Sequence, residues 1–292
     1  MLIEENSKSK QTVLLKILLA HAYVSIVVTA CYNGVAMNET ERTSFRNISK
    51  TIRTGISDKL SKLRFGGRLI DAFFKGFFSK DTNDFYTKIS DKYDRIFSKD
   101  FFIAQEIVNT YFSDGGERAL DCACGTGLSV FPLAAKFRST IGIDINRSML
   151  AEAKKAINKY SLQLEEASIQ YTQGDITHLP YPDNFFDAVT CVGAIWHLHP
   201  DQEIPFFNEI HRVLRPSGKV IITAMIGDSP LEQKIASLWD MTPLNQKVQL
   251  GKFTGGYIFS QMEQHGFIPS MGEITISDTS LPVVIGEPIK NA

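Results

Sequence analysis

The chain has 292 residues, enough to bury a substantial core in one large domain or a domain with an appendage. Its formal net charge of -1 argues against a general nucleic-acid binder, which would carry a basic surplus. Apolar and charged fractions of 43% and 22% are those of a soluble globular protein, which excludes a collagenous or wholly disordered chain. The four cysteines, Cys31, Cys122, Cys124 and Cys191, do not stand at zinc-site spacing and read as reduced, buried small hydrophobes of a cytoplasmic protein. No metal site is expected.

Residues 1–82 form an N-terminal extension read as helical and associated with a membrane or a partner. Val13 to Tyr32 is largely apolar but interrupted by Lys16 and His21. Three readings compete: a buried or partner-facing helix, which we favour, a membrane-associated segment, and an export signal with Val28-Thr29-Ala30-Cys31 as a lipoprotein-like cleavage site. Export would also give meaning to the glycosylation-type tripeptides at Asn38 and Asn47. From Lys50 to Lys80 the sequence is basic, with Ile52, Ile56, Leu60 and Leu63 at helical spacing and Phe73, Phe74, Phe77 and Phe78 beyond a Gly66-Gly67 break. Such a stripe either packs on its own domain or lies on an anionic membrane surface, so membrane contact through residues 13–80 is retained as an expectation.

A second region, residues 83–292, changes character. Phe85 to Tyr93 is aromatic-rich, and Asp100 to Tyr111 reads as a helix burying Phe101, Phe102, Ile107, Val108 and Tyr111. Short apolar runs follow at Ala119–Cys122, Thr140–Ile143, Ile169–Thr172, Ala188–Val192 and Val220–Met225. Helical patterns separate most of them: Leu128–Phe137, Met149–Tyr160 and Gln202–Leu214. This alternation predicts βαβ units, a Rossmann-like doubly wound, mostly parallel α/β sheet. Helix-like stretches at Ile235–Met241 and Phe259–His265 come next. The runs Gly272–Ser277 and Leu281–Ile285, joined by Asp278-Thr279-Ser280, then read as an antiparallel hairpin at the sheet edge, for seven strands in all.

The chemistry is concentrated where the first predicted strand turns into a helix, at Asp121-Cys122-Ala123-Cys124-Gly125-Thr126-Gly127. A glycine turn there gathers backbone N–H groups and a positive helix end at one spot, as in nucleotide-binding α/β proteins. A dinucleotide fingerprint needs a third glycine, and Val130 stands in its place. Asp144, closing the second strand about 20 residues on, is placed for ribose hydroxyls. Asp121, expected at the mouth of the loop, would repel a pyrophosphate and favour an ammonium or sulfonium group. The residues therefore predict an adenosine cofactor with a cationic tail.

Together with Gly142-Ile143-Asp144, Gly174-Asp175-Ile176 and Leu214-Arg215-Pro216-Ser217-Gly218, the loop resembles the class I S-adenosylmethionine-dependent methyltransferases. The nearest flavour is the small-molecule group that includes the ubiquinone and menaquinone biosynthesis enzymes. The resemblance implies that Asp121 and Cys124, Gly125, Thr126 and Gly127 hold the methionine moiety, Asp144 and Ile145 the ribose region, and Asp175 and Ile176 the adenine. It departs from the family at Ala123 and Ser217, where glycine is usual; the added methyl at Ala123 predicts a slightly different loop. Leu214–Gly218 itself reads as a turn into the fifth strand.

On the acceptor side, Gly193-Ala194-Ile195-Trp196-His197-Leu198-His199-Pro200 falls at the same carboxyl edge. His197 or His199 is a candidate proton acceptor, and Trp196 a candidate pocket wall. Tyr86 and Tyr93 are candidate substrate contacts from a lid. The expected activity is methyl transfer to a small, apolar or lipid-like molecule, on oxygen or carbon. The alternatives are a non-catalytic S-adenosylmethionine-binding scaffold and, less consistent with Asp121 and Val130, a nicotinamide oxidoreductase. Homo-oligomerisation is compatible with the sequence.

Overall fold

Two alternating patterns in the second region, continuous apolar runs and 3.6-residue stripes, resolve into strands and helices in the computed structural model, which describes residues 81–96, 99–160, 168–223, 253–276 and 279–289. The readings made for residues 1–80 and for Ile235–Met241 lie outside the described residues. All described residues belong to the unit Asp71–Ala292.

Helix α1 (Thr82–Ile89) starts at Asp81, whose carboxylate accepts from the Asp84 N–H at 2.8 Å, an N-cap that the sequence Asp-Thr-Asn-Asp supplies. A single 3₁₀ turn (Ser90–Lys92) leads to α2 (Tyr93–Ile96), and α3 (Lys99–Tyr111) precedes the sheet. In α3 the buried side is Ala104, Ile107 and Val108, with Ile103 and Tyr111 partly buried. Phe102 is not on that side as expected; it faces solvent and is 56% exposed, because it stands two positions before Ala104 on the opposite face.

Strand β1 (Gly116–Cys122) is followed by α4 (Val130–Ala134), β2 (Phe137–Asp144), α5 (Arg147–Tyr160), β3 (Ser168–Gln173) and β4 (Phe186–Cys191). A 3₁₀ turn (Ile195–His197), α6 (Pro200–Val213), β5 (Leu214–Thr223), α7 (Gly255–Gln264), β6 (Phe267–Ile276) and β7 (Thr279–Pro288) complete the order. The sheet runs β3-β2-β1-β4-β5-β7-β6. Strands β1 to β5 are parallel and β7 pairs antiparallel with both β5 and β6, so the doubly wound sheet with its C-terminal hairpin is as expected. The hairpin strands are longer than their apolar cores: β6 begins immediately after Gly266, whose φ of +84° ends α7. Pro269 is tolerated in β6 because that strand is at the sheet edge.

Central strands β1, β2 and β4 bury their last four or more residues without alternation, the pattern of strands covered on both faces. One apolar layer joins Leu120, Ile143, Val189 and Ile222 to Phe206, Phe207 and Ile210 of α6; the other joins Ala119, Ala188 and Ile221 to Ile107 and Val108 of α3. Cys122 and Cys191 are buried free thiols that fill the first layer, and Cys124, also buried and free, packs with Val130 and Leu150. Trp196 belongs to the first layer at 8% exposure.

Two local expectations need correction. The helix after the glycine loop has five residues rather than ten, because Phe137 already begins β2. It is too short for a substantial dipole, so the loop's own backbone shapes the site. Leu214–Gly218 is part of β5: Leu214 pairs with Phe186 and Lys219 with Ala188, so residues 215–218 bulge opposite Asp187. Asp187 fixes the bulge by accepting from Arg215, and from the Glu117 and Arg118 N–H groups of β1 at 3.0 and 2.8 Å.

Candidate functional site

The order of β2, β1, β4 and β5 places the loops after β1, β2 and β4 together at the carboxyl edge, where the winding of the sheet reverses on either side of β1 and β4. A cavity of about 350 Å³ opens there. Cys124, Gly125, Asp144, Ile145, Asp175 and Ile176 line it, together with Tyr86, Tyr93, His197 and His199. The structure thus brings ten of the sequence-predicted site residues to one cavity, with Asn146, Met149, Val192, Ala194, Leu198 and Gln202 among their neighbours.

The loop is held from below. Cys124 N–H donates to Ile143 O at 3.0 Å, and Gly127 N–H to Cys124 O at 2.8 Å. Gly127 has a φ of +83°, and a Cβ there would lie 2.1 Å from the Tyr171 hydroxyl, so only glycine allows this approach. Ala123 takes φ +56°, the left-handed region that the usual glycine reaches freely. The chain adopts that conformation despite the methyl, at a cost of about 1 kcal/mol.

Asp144 Oδ2 accepts from Gly125 N–H at 2.8 Å and Oδ1 from Asn146 N–H at 2.7 Å, so its carboxylate ties the two loops together while facing the cavity. Burial raises its pKa, opposed by these backbone N–H groups. The helix cap is the neighbouring Asn146, whose Oδ1 accepts from Met149 N–H at 2.9 Å. Asp175 Oδ1 accepts from the Thr177 N–H and hydroxyl, both at 2.8 Å, which orients its carboxylate beside Ile176 at the cavity wall.

Four predicted residues lie elsewhere. Asp121 is not at the mouth of the loop but beneath it, 1% exposed and outside the cavity lining, because the last residues of β1 are covered by sheet and loop. Its Oδ1 accepts from Thr190 Oγ1 at 2.7 Å, and its buried Oδ2 has no hydrogen-bond partner among the described residues. Burial pushes its pKa up to about 7, against the Thr190 hydrogen bond and with a smaller push from the Asp144 charge. Thr126 is 1% exposed and donates to Asp94 Oδ1 of α2 at 2.5 Å. Gly127 sits on Tyr171, and Trp196 packs in the core rather than walling the cavity.

On the acceptor side, Tyr86 Oη and His197 Nε2 are 2.8 Å apart, with their rings edge to face. Burial pushes the His197 pKa down to about 4, so the imidazole is neutral near pH 7. His199 sits on the exposed rim as the N-cap residue of α6, its backbone N–H donating to Gln202 Oε1 at 3.0 Å. Asn146 and Asp94 are the contributions that sequence reading missed. In sequence that helix is legible only from Met149, without Asn146, and nothing in the stretch reports contact with residues more than 50 positions away.

A buried carboxylate under a glycine loop with one oxygen unpartnered among the described residues, an acidic strand end facing a cavity, and a second acidic residue beside an apolar wall fit a nucleoside carrying a cationic tail. Comparison with known proteins agrees. Residues 120–222 match the family model described as a methyltransferase domain. Over 155 residues the chain is 37% identical to a demethylmenaquinone methyltransferase of Lactobacillus johnsonii, covering 48% of this chain and 59% of that protein. Over 144 residues it is 28% identical to the ubiquinone/menaquinone biosynthesis C-methyltransferase UbiE of Psychromonas ingrahamii, covering 47% and 53%. The chain spans about half the length of these curated relatives. Among solved structures, a DhpI–SAH complex superposes with a TM-score of 0.54 at 17% identity, covering 72% of this chain and 96% of that one, a likeness of fold. Over residues 120–222 the chain is thus similar to methyltransferase domains. Several of its sequence relatives are named for demethylmenaquinone or for ubiquinone/menaquinone biosynthesis.

Proposed function

We propose that this protein transfers a methyl group from S-adenosylmethionine to a small, apolar, ring-bearing acceptor, on carbon or on oxygen. The observation that carries the reading is the joining, in one cavity, of Asp144 and Asp175 with the Tyr86–His197 pair. Asp144 accepts from ribose hydroxyls, Asp175 from the adenine amine, and Ile145 and Ile176 cover the apolar faces of the nucleoside. Asp121, below the loop, compensates the positive charge of the methionine end. When bound, S-adenosylmethionine supplies an electrophilic methyl group, so positioning the acceptor in line is the protein's main task.

Tyr86, Tyr93, Val192 and Leu198 offer an aromatic and apolar wall suited to a planar ring. The relatives named for demethylmenaquinone and for ubiquinone/menaquinone biosynthesis support a quinol-type acceptor. The Tyr86–His197 pair, with its neutral imidazole, supports a role in orienting an acceptor hydroxyl rather than in taking its proton, and the exposed His199 supports a contact with an acceptor's polar edge. The basic, aromatic residues 50–80 support a further part of the reading, contact with an anionic membrane surface from which such an acceptor is drawn.

Calorimetric titration with S-adenosylhomocysteine tests the nucleoside assignment. Asp144→Ala should lower affinity by about 1–3 kcal/mol through lost hydrogen bonds. Undiminished binding in that variant contradicts it.

A further inference from the structure

Asn146 is 3% exposed and uses every polar atom it has. Its backbone N–H is held by Asp144 Oδ1, and its Oδ1 accepts from Met149 N–H, which fixes the orientation of the side-chain amide. The two Nδ2 hydrogens therefore point away from α5, toward three oxygens of α1: Asn83 Oδ1 at 2.7 Å, Asn83 O at 2.9 Å and Thr87 Oγ1 at 2.9 Å. Residues 83 and 87 are one helical turn apart, so they present these oxygens on one face. The next residue on that face, Tyr86, reaches His197 across the cavity. Because Asp81, Thr82, Asn83 and Tyr86 all line the cavity, α1 is one of its walls.

We propose that Asn146 is a positioning residue that couples occupancy of the nucleoside pocket to closure of α1 over the cavity. The inference rests on the assignment of Asp144 to the ribose. A ligand bound on Asp144 stiffens the turn that Asp144 makes with the Asn146 N–H, and that turn sets the place of the Nδ2 donor. By thermodynamic reciprocity, docking of α1 raises affinity for the nucleoside to the same degree. Closure then brings Tyr86 onto His197, so the acceptor side is completed only when the donor side is filled.

Hydrogen exchange of the full-length protein, with and without S-adenosylhomocysteine, tests this. Asn146→Ser keeps an N-cap oxygen for α5 and removes the Nδ2 donor. Asn83→Ala combined with Thr87→Val breaks the same contact from the α1 side and leaves Asn146 untouched. In the wild type the ligand should slow exchange of α1 amides about tenfold; in both variants the slowing should fall below about twofold, with α5 amides still protected and affinity about fivefold or more weaker. Full α1 protection in both variants overturns the proposal. So does equal loss of protection in α1 and α5 of Asn146→Ser, which would make Asn146 a helix cap alone. If the wild type does not bind S-adenosylhomocysteine, the cofactor reading and the coupling both fall. The ligand-free exchange of α1 then decides the contact itself: faster exchange in both variants upholds it and unchanged exchange refutes it.

Discussion

Asp121 is the residue whose position differs most from what its sequence context suggests, and the difference has a measurable consequence. Burial lifts its pKa from 3.8 to about 7, so the folded protein binds a proton between those values that the unfolded chain releases. Stability from this group is full below pH about 4 and is lost as pH rises toward 7. His197 acts oppositely: its pKa is lowered to about 4, so its contribution is present above pH about 6.5 and lost as pH falls toward 4. The two oppose each other in the wild type, and Asp121→Asn separates them. Its melting temperature should gain on that of the wild type as pH rises from about 4 to 7, read by calorimetry without ligand; a gap independent of pH contradicts the burial of an ionisable Asp121. Sequence singled out Asp121 within, and Asp144 just after, apolar runs that become strands, and Asp175 through the resemblance to the methyltransferase family. It could not place Asp121 beneath the loop, since burial near a strand's end depends on what covers it. Nor could it show that Ala123 adopts the left-handed conformation of the glycine it replaces.

At the scale of elements, strands were legible where both faces are covered, because β1, β2 and β4 then read as unbroken apolar runs. Legibility failed where the chain departs from a period. Leu128–Phe137 has helical spacing, yet the helix stops after Ala134 because β2 starts three residues later. The Arg215–Gly218 bulge carries turn residues inside a strand, and its meaning comes from Asp187 on the neighbouring strand. Asp187 joins the beginning of β1 to the bulge of β5 across β4. Asp187→Ala leaves two β1 N–H groups and Arg215 without this acceptor and should destabilise the fold by about 2–3 kcal/mol. Chemical denaturation should show a lower midpoint at unchanged slope; an unchanged midpoint would mean the bulge holds without Asp187.

For the whole molecule, strand order and the loops it gathers explain why residues as distant as Tyr86 and His197 share one cavity. Among the described residues no helix is long and apolar enough to cross a membrane. The proposed membrane contact therefore rests on the charge and aromatic pattern of residues 50–80, and full-length protein should sediment with anionic vesicles at low salt and be released by salt. Equal binding to neutral vesicles, or none to either, contradicts an electrostatic contact. The central claim is methyl transfer, and it is tested most directly by incubating the protein with methyl-labelled S-adenosylmethionine and reduced quinone precursors or a cellular lipid extract. The account predicts label in an apolar, solvent-extractable product, strongly reduced in Asp144→Ala. Retention of all label in the cofactor, by a protein that binds S-adenosylhomocysteine normally, would contradict it.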